Sequence, residues 1–246
     1  MKQNFELYTK EDQHVWNLLF ERQWNNLQEK GATDYLKSLS KMKEVINKDE
    51  LPNFEKISQW LQSRTGWSIT VVPGLIPVND FFELLSKKKF CSSTWLRSIK
   101  NLDYLEEPDM FHDIFGHIPL LADPVFSSFM EAFGKLGVEN KTNELVVLQL
   151  QRLYWFTIEF GVIQEQTIKS YGAGIMSSFG ETNHVASGKV NFKPFDIQEI
   201  IQMQFKTDEI QTTYFVLESF EQLIDSIPFM KNEILKNKKL ELWNGN

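Results

Sequence analysis

The chain has 246 residues, 42% of them hydrophobic and 13% aromatic, enough to bury a sizeable core in one large domain or two small ones. Its formal charge of −7 argues against general nucleic-acid binding, which needs a positive field. The single cysteine, Cys91, excludes an intrachain disulfide and suits a reducing cytoplasm, while the absence of a signal-peptide core or an apolar run of ~18 residues predicts a cytoplasmic protein without a membrane partner.

No repeat, low-complexity tract or Pro/Gly-rich linker divides the chain, so one domain over 1–246 is expected. Thr9 with Asp12 three residues on forms a variant capping box ahead of VWNLLF. Leu36, Leu39, Met42 and Ile46 repeat at helical spacing, and Asn53 can cap a helix carrying Phe54, Ile57, Trp60 and Leu61. In WSITVV, Trp67, Ile69 and Val71 alternate as in a short strand, ended by Pro73 and Gly74. VPGLIPVNDFFELL then reads as an irregular loop leading to a helix capped at Asn79. Apolar helical patterns cover 126–136 and 144–163, and the polar, glycine-rich YGAGIMSSFGE follows. Asp196 with Glu199 announces another helix, TYFVL (213–217) a strand, and 219–237 a final helix. The expected fold is mainly α with a few short β-strands.

Two of the four histidines, His112 and His117, sit together in FHDIFGHIPLL, otherwise almost wholly apolar. Positions five apart on an intact α-helix lie roughly 140° apart around the axis, so such a helix cannot easily direct both at one ion. Gly116 and Pro119 offer a resolution: a helix ending at Gly116 frees His117 to swing towards His112. Downstream, LYWFTIEFGVI (153–163) is apolar except for Thr157 and Glu159. A glutamate there faces a desolvation cost that a cation, a proton or hydrogen bonds must offset. Two imidazoles and one carboxylate form the ligand set of a non-haem Fe(II) facial triad, and equally of some catalytic zinc sites. In the zinc reading Asp113 is the candidate base; the aromatic surroundings favour oxidation of an apolar substrate.

The segments VPGLIPVNDFF, LDYLEEPDMFHDIFGHIPLLADPVF, YWFTIEFGVI, YGAGIMSSFGE and YFVLESF resemble, in order and spacing, the pterin-dependent aromatic amino acid hydroxylases, above all their short bacterial phenylalanine hydroxylase branch. The resemblance spans roughly 65–220, the implied core for iron, pterin and substrate, flanked by an N-terminal helical part (1–64) and a C-terminal helix and tail (221–246). It implies the catalytic-domain fold of that family, with Fe(2+) held by His112, His117 and Glu159. It implies Arg97 as the grip on an amino-acid carboxylate, with Asp109 orienting it or capping the histidine-bearing helix. By the same resemblance Trp155, one turn before Glu159, is expected to pack on the substrate ring, with Phe160, Pro108, Gly174 and Ser177 completing the pocket. The loop 74–81, with Gly74, Leu75, Ile76, Val78, Asp80 and Phe81, matches the pterin-binding loop, and Asp113 and Tyr154 match positions near pterin and iron. Pro77, Val78 and Leu105 depart from residues that supply hydroxyls in relatives, leaving fewer side-chain hydrogen bonds to ligands.

The implied reaction takes tetrahydrobiopterin or a related tetrahydropterin, with O2 as co-substrate, and hydroxylates an aromatic amino acid. Phenylalanine, giving tyrosine, is favoured because Trp155 is shared with phenylalanine and tyrosine hydroxylases, and because Val216 matches an apolar position where tyrosine hydroxylases carry an acid. Hydroxylation at another ring position, or of tryptophan or tyrosine, is the near alternative. A zinc hydrolase and a non-catalytic aromatic-metabolite-binding protein are the distant ones. A monomer is expected, because the resemblance is to the catalytic domain alone.

Overall fold

The computed structural model describes residues 1–103, 105, 107–207 and 209–244, with side chains as far as residue 233. The last two positions of the tail expected over 221–246 lie outside the described residues.

The chain opens on α1 (Lys10–Leu27), whose capping box forms as expected: Asp12 N–H donates to Thr9 Oγ1 at 3.2 Å and Thr9 N–H to Asp12 Oδ2 at 2.7 Å. Such a cap is worth about 1 kcal/mol. Helix α2 (Thr33–Lys41) is shorter than the Leu36–Ile46 spacing suggests; Met42 and Ile46 are buried from the turns that follow it. Helix α3 (Phe54–Gln62) is capped by Asn53, which accepts from the amides of Glu55 and Lys56, both at 3.0 Å.

Strand β1 (Ser68–Val71) pairs in parallel with β2 (Lys89–Ser92), and α4 (Val78–Ser86) makes the crossover. The expected cap at Asn79 is corrected: Pro77 is the cap residue, and Asn79 is already helical, its side chain donating to Lys141 O. Helix α5 (Pro124–Asn140), capped by Asp123, lies hard against α4; a Cβ on Gly137 would fall 2.2 Å from the Phe82 ring, so only glycine admits that ring.

The pattern read as one helix over 144–163 breaks into three parts. Helix α6 (Glu144–Tyr154) passes into a π-turn over Trp155–Glu159 and then into β3 (Val162–Gln164). Strand β4 (Ile168–Ser170) pairs antiparallel with β3, whereas β6 (Thr213–Leu217) runs parallel to both β3 and β5 (Asn191–Pro194). The order is β4-β3-β6-β5. The glycine-rich segment carries α7 (Ala173–Met176) and the start of α8 (Phe179–Ala186). Short α9 (Ile197–Ile200) is capped by Asp196, and α10 (Glu221–Asn244) closes the chain.

The histidine segment does not end at Gly116 either. Residues His112–His117 form a π-turn that runs into a 3-10 turn over Ile118–Ala122. Closing hydrogen bonds to the fifth residue instead of the fourth widens the turn, so residues five apart fall on one face. Gly116 serves close approach rather than termination: a Cβ there would sit 2.8 Å from Ala173 O. Pro119 has no N–H for the Phe115 carbonyl four residues back; that carbonyl accepts from the buried Tyr35 hydroxyl instead. Phe111 and Phe115 stack at 4.8 Å and meet Trp16 and Phe20 of α1 edge-on at 5.5 and 5.2 Å. Aromatic packing thus anchors the backbone that carries both histidines.

Candidate metal centre between two cavities

Both ligand-bearing segments are π-turns, a local geometry frequent at functional sites. In the second, Phe160 N–H donates to Trp155 O, five residues back, at 2.9 Å. The two turns bring three side chains together as expected: His117 Nε2 lies 3.0 Å from His112 Nε2 and 3.1 Å from Glu159 Oε1, and His112 Nε2 lies 3.6 Å from Glu159 Oε2.

Two of the three donors, His112 and Glu159, are in the right form for a cation. Ser177 Oγ donates to Ala173 O at 2.8 Å and so receives a hydrogen bond from His112 Nδ1 at 2.9 Å. That assigns the proton of a neutral His112 to Nδ1 and leaves Nε2 a bare lone pair, the way outer partners orient metal ligands. Burial lowers the His112 pKa to about 4, against the pull of Glu159. Burial alone would raise Glu159, but His117, His112 and the Tyr154 hydroxyl bring it down to about 2. At neutral pH the site is a bare imidazole nitrogen beside an ionised carboxylate, with no lysine or arginine paired to that carboxylate among the described residues. A divalent ion fits this donor set.

The triad sits where two cavities meet; His112, Glu159, Trp155, Pro108 and Leu75 line both. The loop-side cavity is bounded by Gly74, Leu75, Ile76, Val78 and Phe81, and reaches Asp113 and Tyr154. Phe81 meets Tyr154 edge-on at 5.3 Å. Asp113 Oδ2 accepts from Ser93 N–H at 2.9 Å, and burial outweighs that bond to raise the acid to about 7. Burial, then Asp113, push the Cys91 thiol up to about 12, and Tyr154 is raised well above the usual phenol range, again chiefly by burial.

The arginine-side cavity is lined by Arg97, Trp155, Phe160, Gly174 and Ser177. Asp109, wholly buried, grips Arg97 twice: Nε donates to Oδ2 at 2.8 Å and Nη2 to Oδ1 at 2.9 Å. Its Oδ1 also accepts from His112 N–H at 3.0 Å, so one carboxylate both orients the guanidinium and caps the histidine turn. Desolvation would raise Asp109, but Arg97 and these amides hold it below the ordinary carboxylate value. The Trp155 ring packs at 4.6 Å against both Phe160 and Phe205, and its Nε1–H donates to Gln211 Oε1 at 3.1 Å. Gly174 admits Phe160, whose Cζ would lie 2.9 Å from an added Cβ.

Two expected contacts fall elsewhere. Asp80 is exposed on α4 and lines neither cavity, and Val216 sits on β6 in a small cluster behind Phe160 instead of on the cavity wall. Phe205 and Gln211, which hold Trp155, and Glu181 on the arginine-side wall were not singled out from sequence; the first two lie in a polar, irregular stretch whose spacing carries no signal, and Glu181 reads as an ordinary acid in the first turn of a helix.

A facial triad at the meeting point of an apolar aromatic cavity and an arginine-bearing one defines a non-haem metalloenzyme class. The chain belongs to the biopterin-dependent aromatic amino acid hydroxylases, whose family model matches residues 5–242. It is 41% identical over 228 residues to the phenylalanine-4-hydroxylase of Chromobacterium violaceum, covering 92% of this chain and 76% of that protein. It is 42% identical over 229 residues to that of Ralstonia nicotianae, covering 92% and 72%. The crystal structure of the Chromobacterium enzyme bound to cobalt superposes with a TM-score of 0.89 at 42% identity, covering 92% of this chain and 82% of that one. A structure of the same enzyme with iron(III) and oxidised 7,8-dihydrobiopterin gives 0.89 at 40% identity, covering 96% and 86%. No helix among the described residues is long and apolar enough to cross a membrane.

Proposed function

We propose that the protein is an Fe(2+)- and tetrahydropterin-dependent monooxygenase that converts L-phenylalanine to L-tyrosine with O2. The observation that carries this reading is the triad at the junction of two unlike cavities, which lets a cofactor and a substrate approach one ion from different sides. The names of the relatives and the dihydrobiopterin in a solved neighbour support it. His112, His117 and Glu159 would hold the iron, which together with the reduced pterin supplies the activation of oxygen. The chain's own residues position and exclude. Arg97, pre-aligned by Asp109, pairs with the substrate carboxylate. Trp155 and Phe160 fix the ring, where a displacement of ~1 Å could cost on the order of a hundredfold in rate. Phe81 and Tyr154 flank the pterin, and Ser177 keeps the His112 proton on Nδ1.

The test supplies Fe(II), tetrahydropterin, O2 and phenylalanine and follows tyrosine formation and pterin oxidation together. Equal amounts of both are expected. Pterin oxidation without hydroxylated product would mean that another amino acid is the substrate, and turnover with zinc in the absence of O2 and pterin would restore the hydrolase reading.

A further inference from the structure

An amino acid carries two opposite charges on one carbon, so a cavity that recognises the whole head group needs a second counter-charge beside the arginine. Among the described residues, four acids besides Glu159 line the arginine-side cavity: Asp103, Glu107, Glu181 and Glu209. Asp103 is paired with Arg22 at 2.6 Å and Glu209 with Lys206 at 2.7 Å, and these two and Glu107 are exposed. Glu181 differs from all three. It is partly buried, and no lysine or arginine pairs with it among the described residues.

Its orientation is also unusual for its place. Glu181 is the third residue of α8, from which a glutamate ordinarily reaches back to the N-cap amide, here that of Ser178. Instead Oε2 accepts from the Tyr214 hydroxyl at 2.9 Å and Oε1 from Gln211 N–H at 3.4 Å. An ionised carboxylate accepts about four hydrogen bonds, so these two fix its direction without exhausting its capacity. Gln211 also holds the indole of Trp155, which ties this carboxylate to the ring clamp through one residue. Burial raises Glu181 despite the Tyr214 bond, as fits an acid awaiting a cation.

We propose that Glu181, steered by Tyr214 and Gln211 into the cavity it shares with Arg97, receives the α-ammonium group of the amino-acid substrate. The head group is then held at both charges, and the ring by Trp155 and Phe160. The inference rests on the reading of phenylalanine as substrate, and the two fail in different experiments.

The test compares L-phenylalanine with 3-phenylpropanoate, which keeps the ring and carboxylate but lacks the ammonium, by fluorescence titration of the iron-loaded protein without O2. Glu181→Gln is expected to weaken phenylalanine binding about tenfold or more and to leave 3-phenylpropanoate unchanged or tighter. Equal losses for both ligands, or none for phenylalanine, would overturn the ammonium site. Tyr214→Phe loosens the same support while keeping the charge and should retain the preference for phenylalanine. If it abolishes that preference as fully as Glu181→Gln, the carboxylate acts only through the shape of the segment and the proposal fails. Wild-type protein that makes no tyrosine refutes the substrate assignment alone, because the binding comparison stands without turnover.

Discussion

The two cavities share the wall formed by His112 and Glu159 and differ in how they treat charge. On the loop side, burial drives titratable groups towards their neutral forms: Cys91, Asp113 and Tyr154 are all raised. On the arginine side a full charge is kept in a place just as dry, because Asp109 meets Arg97 through two parallel bonds and is held ionised. Desolvation is similar on both sides; what differs is whether a built-in partner compensates for it. Away from the shared Glu159, a cavity whose acids burial pushes towards their neutral forms and whose walls are aromatic edges suits a flat, uncharged ring system, and one that keeps its charges suits a zwitterion.

Substitutions can break this contrast in graded steps. Glu159→Ala strikes the shared wall, and iron-dependent turnover should vanish from both half-reactions while far-UV circular dichroism stays the same; retained activity would remove Glu159 from the ligand set. Arg97→Lys replaces a planar fork with a point charge that cannot serve Asp109 and a substrate carboxylate together. We expect kcat/KM for phenylalanine to fall by about a hundredfold, with the pterin KM little altered. Phe81→Ala should do the reverse, raising the pterin KM about tenfold and sparing the phenylalanine KM; a variant that shifts both constants alike would mean that the cavities are not separate subsites. The smallest effect belongs to Val216→Asp. From behind Phe160 it should raise tyrosine relative to phenylalanine by a few-fold in a competition assay, and an unmoved ratio would count against that position as a determinant of ring preference.

Much of the centre was legible because burial makes polar residues conspicuous. His112, His117 and Glu159 stand out against apolar neighbours, and the structure brings them within 4.8 Å of one another. The route by which they meet was not legible. Gly116 and Pro119 read as a broken helix end, yet the main chain widens into a π-turn, and Gly116 is needed for its closeness to Ala173. Periodicity detects a regular helix and has no sign for one extra residue in a turn. Four of the six strands among the described residues escaped: β2 to β5 are three or four residues long, and where the equally short β1 shows Trp67, Ile69 and Val71 in alternation, they carry no such run. Capping residues fared better, since Thr9, Asn53 and Asp196 act within three positions of themselves; Asn79 failed because Pro77 had already set the entry to the helix.

The widened turn at His112–His117 makes the meeting of its two imidazoles depend on spelling length more than on spelling. An extra codon between them, beside Ile114 for example, would set the two imidazoles six positions apart, a spacing that neither an α-turn nor a π-turn places on one face, although every ligand would survive in the text of the protein. Insertion scanning through this segment should therefore empty the centre of metal at positions where a conservative replacement leaves it loaded.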